Sequence, residues 1–353
     1  MTKLTITAAD IGRRLDKFLM AYLKGATRSF IYKLLRKKRI KLNGKRAEGG
    51  ELLKDGDAIE FYLSQDTLDN CRKSRDDIYI ANGATPRARY PKHAPDSVSH
   101  KARQDGDIVP VENAASIDTN LPQIVYEDDN LLIINKPAGM ASHGGMKSKV
   151  PHLLARVLAY LQQKGDYPPG ATFTPALCNR LDVNTSGLII CGKNYQALRA
   201  VNNLFATPGA IEKQYLAIVE GELTGSATLE GHYNKDTATN TACITQSSKP
   251  PQAITQYASI AVSNDSSLVS VSPITGRSHQ IRAHLAAIGH PLLGDKKYGG
   301  RVAHKAPGQL LHCHRLRLTK PLLNYPINTT WTAEPPKEFC GNFSEVFTSI
   351  KEF

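Results

Sequence analysis

Three groups of residues in this chain have the types and spacing to do chemistry. The first is Asn179-Arg180-Leu181-Asp182-Val183-Asn184-Thr185-Ser186-Gly187, which runs directly into the apolar segment Leu188-Ile189-Ile190-Cys191. A carboxylate set between an arginine and a Thr-Ser-Gly turn, at the mouth of a hydrophobic run, is a way to present one reactive acid as a nucleophile or a base. The second is Tyr215, inside Glu212-Lys213-Gln214-Tyr215-Leu216-Ala217-Ile218-Val219-Glu220-Gly221; by itself a strand tyrosine reads as core or rim. The third is Thr275-Gly276-Arg277-Ser278-His279-Gln280-Ile281-Arg282. Here Gly276 permits close backbone approach. Arg277 is expected at the start of a helix, where the dipole disfavours a cation unless a carboxylate or phosphate lies near it.

A lone Arg-x-Asp defaults to a turn or cap with a local ion pair. Arg14-Leu15-Asp16 repeats the tripeptide on an amphipathic stretch among basic neighbours, and reads as structural. Only the copy ending in Asp182 precedes a Thr-Ser-Gly turn and an apolar strand. The histidines at 279, 284 and 290, and the His312-Cys313-His314 run, fit neither a His-Glu-x-x-His pattern nor a cysteine-paired zinc site. Neither a metal nor a cofactor is expected.

These residues need strands and helices to hold them. Leu131–Asn135, Leu188–Cys191, Lys213–Val219, Leu268–Ser272 and Gln309–Leu318 read as strands, and His152–Gln163, Tyr195–Phe205 and Ser278–Ile288 as helices. Leu198, Val201 and Leu204 share one face of the second helix.

The N-terminal part is a separate, basic module. Residues 13–60 hold 14 Lys or Arg against six Asp or Glu, which is +8 of the chain's net +13. Apolar residues at 15, 18, 19, 22 and 23 make a helical stripe that Gly25 ends. Thr27 is placed to cap a second helix with Phe30, Ile31, Leu34 and Leu35 inward. Arg28, Lys33, Arg36, Lys37, Lys38 and Arg39 take its outer and terminal positions. A short strand, Ile40-Lys41-Leu42, leads to an Asn43-Gly44 turn, and Asp55-Gly56-Asp57 turns into the strand Ala58–Tyr62. Cations so dense on one small element point to phosphate contacts that position a polyanion without reading its sequence.

Residues 64–119 hold four prolines, eight basic and nine acidic residues and few large apolar ones, so a flexible linker or insertion is expected there. The six cysteines are scattered without a Cys-x-x-Cys pair, which argues against a disulfide framework. No apolar run approaches the roughly 18 residues of a membrane span. The first residues lack a signal-peptide core, and a cytoplasmic protein is expected.

The basic module resembles the S4 RNA-binding domain through Arg14-Leu15-Asp16-Lys17-Phe18-Leu19, Ser29–Arg36 and Ile40–Lys45. In order, the three chemical motifs are similar to those of the pseudouridine synthases of large-subunit ribosomal RNA. So is the lead-in Tyr126–Asn130, Asn135-Lys136-Pro137-Ala138-Gly139 and His143-Gly144-Gly145. Leu23–Ser29 and His143-Gly144-Gly145 lean toward the synthase C-like branch. The resemblance implies an α+β fold: an S4 domain at 1–63 with a helix pair and small sheet, the linker 64–119, and a catalytic domain at 120–353 on a mixed, largely antiparallel sheet with flanking helices. It implies an isomerase that flips uridines out of 23S rRNA, or of a large-subunit assembly intermediate, and rebuilds them as pseudouridine while working as a monomer. Asp182 would be the essential carboxylate, Tyr215 would stack on uracil, and Arg277 would pair with Asp182. Arg180 would fill the space left by the flipped base, and Ile281 would pack at the uracil pocket. The alternatives are a non-catalytic rRNA-binding assembly factor, or the same chemistry on another RNA such as tRNA. Asn179, where the family usually has histidine, and the poorly fitting segment 231–257 are the departures from the pattern.

Overall fold

The computed structural model describes residues 1–73, 121–144, 152–245, 250, 252–263, 265–303, 306–339 and 343. The linker expected over 64–119 lies outside the described residues from 74 onward, as does Gly145. The described residues fall into two compact units. One holds 1–73 with 167–175 and 193–199, and the other holds 121–144, 152–166, 176–192 and the described residues from 200 onward.

In the first unit the apolar stripes become helices α1 (Leu15–Tyr22) and α2 (Arg28–Arg36). Thr27 caps α2, its hydroxyl oxygen accepting the Phe30 N–H at 3.2 Å. Leu15, Phe18, Leu19, Leu23, Ile31, Leu34 and Leu35 are buried together with Ile40, Ile59 and Phe61. Full burial of such side chains contributes about 1.5–3 kcal/mol each. Strands β1 (Thr2–Thr5), β2 (Ile40–Leu42), β3 (Lys45–Arg46) and β4 (Ala58–Phe61) form an antiparallel sheet in the order β1-β4-β2-β3. Asn43 and Gly44 both take positive φ, 50° and 72°, as a two-residue type I′ hairpin requires.

One difference from expectation lies at the edge of this unit. Residues 65–72, assigned to the linker by composition, form helix α3 (Gln65–Arg72), with the Ser64 hydroxyl accepting the Thr67 N–H and Leu68 buried in the same core. One well-placed leucine and a cap suffice in a segment whose average composition is polar. Helix α3 also accounts for Gly25: a Cβ there would meet the carbonyl oxygens of Lys73 and Asn70 at 2.5 and 2.9 Å.

Asp16, of the first Arg-Leu-Asp, is 1% exposed and saturated with partners. Its oxygens accept from Arg14 Nε at 3.1 Å and Nη2 at 3.3 Å, from the Tyr32 hydroxyl at 2.8 Å, and from the Lys17 N–H at 2.8 Å. Burial pushes the carboxyl upward, but the bonds from Arg14 and Tyr32, the Arg14 charge and the Lys17 N–H together hold it below its ordinary value. Its contribution to stability is therefore full above the ordinary value of 3.8 and is lost as pH falls through the lower folded value. Asp16→Ala is expected to destabilise this unit by about 2–3 kcal/mol, read as a lower urea midpoint at pH 7; the gap between mutant and wild type should narrow at the acid end.

The second unit is built on an 11-stranded sheet. Its strands are β5 (Ile124–Glu127), β6 (Leu131–Lys136), β7 (Ala176–Leu177), β8 (Ser186–Gly192), β9 (Ile211–Glu220), β10 (Ser226–Asp236), β11 (Thr241–Thr245), β12 (Gln252–Ser263), β13 (Ser266–Pro273), β14 (Leu311–Leu318) and β15 (Thr330–Thr332). The order is β11-β10-β12-β13-β9-β14-β8-β6-β5, with β15 on β14 and β7 on β8. Strands β8 and β14 pair in parallel, and the other pairs are antiparallel. The mixed, largely antiparallel sheet thus agrees with expectation.

Helices α4 (Leu153–Lys164), α5 (Tyr195–Ala206) and α6 (Gln280–Ala287) complete the described elements that bear on the site. Helix α6 packs Ile281 and Leu285 into a core with Ala217 and Val219 of β9 and Val269 and Val271 of β13. It begins two residues later than the expected start at Ser278, because His279 is its N-cap in the left-handed conformation, φ 54° and ψ 17°. No helix among the described residues is long and apolar enough to cross a membrane.

Candidate active site

The loop between β7 and β8 carries Asp182 and is held at several points. The Asn179 amide nitrogen donates to the Leu188 carbonyl at 3.1 Å, and its oxygen accepts the Ile190 N–H at 2.9 Å. Asparagine at this departure from the family pattern therefore uses both halves of its amide to bind the loop to β8. Ser142 Oγ donates to the Leu181 carbonyl at 2.9 Å and lies 3.1 Å from the Leu181 N–H. Gly187 sits at φ 114°, and a Cβ there would collide with the Cys313 backbone, to which β8 pairs. The Thr-Ser-Gly turn needs glycine because β14 passes against it.

Lys136, fully buried at the end of β6, donates to the carbonyls of Pro137 and Met140 at 2.8 Å and of Val183 at 3.0 Å. Burial pushes this amine down to about 7, while the charge of Asp182 acts the other way. Three carbonyl acceptors need three N–H bonds, which only the ammonium has. Lys136 thus binds the residue after Asp182 to the β6 turn.

The Asp182 side chain is 26% exposed. Its Oδ2 accepts from Arg282 Nη1 at 3.0 Å, and His279 Nε2 stands 3.7 Å from the same oxygen. Oδ1 has no hydrogen-bond partner among the described residues. Arg282, 6% exposed on α6, turns its other nitrogens to buried Asp295: Nε to Oδ2 at 2.6 Å and Nη2 to Oδ1 at 2.7 Å. Burial alone would lower the Arg282 pKa, but the bonds and charge of Asp295, with Asp182, raise it.

This corrects the expected pairing of Asp182 with Arg277. Arg277 precedes α6 in a turn, where its backbone N–H donates to Gln280 Oε1 at 3.0 Å and its buried Nε has no partner among the described residues. It is close enough to Tyr233 to influence that hydroxyl. The left-handed His279 delays the helix, so Arg282, three residues after His279, reaches Asp182 from the same face. The sequence signal for Arg282 was its place at the end of the third motif; its anchor, Asp295, lay in a segment with no recognisable pattern.

Tyr215 lies on β9 between Cys313 of β14 and Val271 of β13, and packs against the core containing Ile281. Burial raises its pKa well above the ordinary tyrosine value, with Cys313 and the Asp182 charge adding to the rise, so the phenol is neutral at physiological pH. Ile281 is 6% exposed and forms part of the wall on which Tyr215 rests. Arg180 is exposed beside Asp182, near enough to His143 to disfavour its protonation after burial has done most of the work. In the first unit Arg28, Lys33, Arg36, Lys37, Lys38 and Arg39 are all exposed.

Lys136→Met should leave three buried carbonyls without a donor and cost about 2–4 kcal/mol, with the loss measured by chemical denaturation. Asn179→Ala removes two loop-to-strand bonds and should cost about 1–2 kcal/mol. Asn179→His should recover part of that loss.

Residues 130–287 match the family described as RNA pseudouridylate synthase, and residues 13–59 match the S4 domain. The protein of Vibrio vulnificus (strain CMCP6) named Ribosomal large subunit pseudouridine synthase C is 30% identical over 336 residues, covering 92% of each chain. Its namesake from Escherichia coli (strain K12) is 30% identical over 328 residues, 90% of this chain and 88% of that one. The likeness runs through the S4 segment and through the motifs that bring Asp182, Tyr215 and Arg282 together, and this chain belongs to the RNA pseudouridylate synthase family.

Proposed function

We propose that this chain isomerises uridines of large-subunit ribosomal RNA to pseudouridine, as a cytoplasmic monomer without a cofactor. The observation that carries the reading is the state of Asp182. Its carboxylate is partly exposed, is held through Oδ2 by Arg282, and keeps Oδ1 without a partner among the described residues. The substrate class is the one in the names of the relatives that match 92% and 90% of this chain.

The reaction breaks the N1–C1′ bond, rotates uracil, joins C5 to C1′ and moves the C5 proton. No net electrons are gained or lost. Asp182 acts at the ribose, as nucleophile on C1′ or as base, and either role uses an ionised carboxylate with one uncommitted oxygen. Tyr215 contributes the face of a neutral phenol on which uracil stacks. Its raised pKa means that the C5 proton needs an acceptor other than a standing phenolate.

Extruding the base costs a few kcal/mol. Arg180, exposed next to Asp182, enters the stack in place of the flipped nucleotide. The exposed cations of α2 and of the turn after it supply phosphate contacts that offset the cost and position the RNA without reading it.

Cells lacking the protein should lose pseudouridine at specific positions of 23S rRNA. The wild-type gene should restore them, whereas Asp182→Asn, about a thousandfold slower or more, should not. Unchanged modification in the null strain would end this reading. In filter binding, the triple change Lys37→Ala, Lys38→Ala and Arg39→Ala should weaken rRNA affinity and flatten the salt dependence by about 2–3 in log–log slope. Single-turnover rates at saturating enzyme should stay near wild type.

A further inference from the structure

His279 is an unusual helix N-cap. It is not glycine, asparagine or aspartate, yet it takes a left-handed backbone conformation, and its side chain makes no cap bond. A strained conformation of that kind persists where the surroundings demand it. What it gains is the placement of a largely buried imidazole, 8% exposed, with Nε2 3.7 Å from Asp182 Oδ2.

The other ring nitrogen determines which tautomer faces Asp182. His279 Nδ1 lies 3.0 Å from the Tyr298 hydroxyl. That hydroxyl oxygen already accepts the Ala242 backbone N–H at 2.7 Å. With that lone pair taken, the hydroxyl proton is available to Nδ1, an arrangement in which Nδ1 accepts. In the neutral ring the proton then sits on Nε2, toward Asp182. The Tyr298 ring also lies 4.9 Å from the Arg282 guanidinium carbon and edge-on to His279. One tyrosine thus touches both groups that face Asp182 Oδ2.

We propose that Tyr298 is a positioning residue for the catalytic carboxylate: its hydroxyl, oriented by Ala242, fixes His279 as the Nε2–H tautomer facing Asp182 Oδ2, and leaves Oδ1 as the oxygen that reacts. The Ala242 N–H comes from β11, so the hairpin of β10 and β11 braces the motif residues. The charged and titratable groups acting on His279 are Asp182, Arg282, Lys297, Lys235 and Tyr298. Burial disfavours the imidazolium, Asp182 favours it, and the three cations disfavour it, which keeps the ring neutral and makes the choice of tautomer matter.

The inference rests on the proposed reaction for its rate consequence, but not for its tautomer, and the test separates the two. Nitrogen-15 NMR of the full chain, with the His279 signal assigned by its loss in His279→Gln, should show an Nε2–H imidazole in wild type. In Tyr298→Phe the ring stays beneath Arg282 but the hydroxyl is gone, and the signal should move to a mixture of tautomers. An Nδ1–H imidazole in wild type, or an unchanged tautomer in Tyr298→Phe, overturns the proposal without any RNA.

Tritium release from C5-labelled 23S rRNA transcript gives the second readout. Tyr298→Phe should lower the single-turnover rate about tenfold or more, with transcript affinity within about twofold of wild type. His279→Gln, which keeps an N–H near the Nε2 position, should exceed His279→Ala by about tenfold. A wild-type rate for Tyr298→Phe, or a loss confined to affinity, counts against the positioning role. Activity retained by Asp182→Asn would instead sink the proposed reaction and leave the tautomer result standing.

Discussion

An arginine with only 6% of its surface exposed is tolerated only if its charge is met at close range. Arg282 is met twice. Asp295, itself buried, takes two of its nitrogens in a forked pair, and Asp182 takes a third. The forked pair fixes the plane of the guanidinium, so the direction of the remaining N–H, and with it the position of Asp182 Oδ2, is set before any substrate arrives. Removing Asp295 would leave a buried cation with one partly exposed carboxylate, and that carboxylate would be drawn toward charge neutralisation and away from chemistry.

The rest of the catalytic unit can be understood as support for that geometry. Helix α6 lies on β9 and β13 through Ile281 and Leu285, which sets the height of Arg282 above the sheet. The Asp182 loop is bound from three sides, by Asn179 to β8, by Ser142 at Leu181, and by Lys136 at Val183. Lys136 and Arg282 place positive charge near the carboxylate while Tyr215 stays a neutral phenol, and this suits a site that presents one anion to a polyanionic substrate.

The two copies of Arg-Leu-Asp show how environment divides identical tripeptides between structure and chemistry. Asp16 has donors on both oxygens, from Arg14, Tyr32 and the Lys17 N–H, and it joins α1 to α2 within the basic unit. Asp182 is engaged through one oxygen and keeps the other open. Saturation makes a carboxylate a fastener, whereas one open oxygen beside a cation leaves a carboxylate able to engage a further partner.

Local features were legible in the sequence because they rest on short-range physics. The stripes of α1 and α2 follow from helical periodicity, the Thr27 cap from its hydroxyl, and the hairpin from the left-handed tolerance of Asn43-Gly44. The buried run of β8 and the three ordered motifs were equally plain, and they were enough to name Asp182 and Tyr215. Helix α3 is not legible in the sequence because a single buried leucine carries it within a polar segment. Local spacing does not separate Arg277 from Arg282, because nothing in it reveals that His279 adopts a positive φ and delays the helix. Which arginine meets Asp182 is decided by Asp295, 13 residues further on in a different element, and by the sheet that brings that element back. Sequence by itself marked the candidate groups and the elements that bear them, through periodicity, capping and motif. Only the tertiary structure decided which cation holds which oxygen, because partner choice among buried charges depends on distances that chain folding creates between residues far apart in sequence.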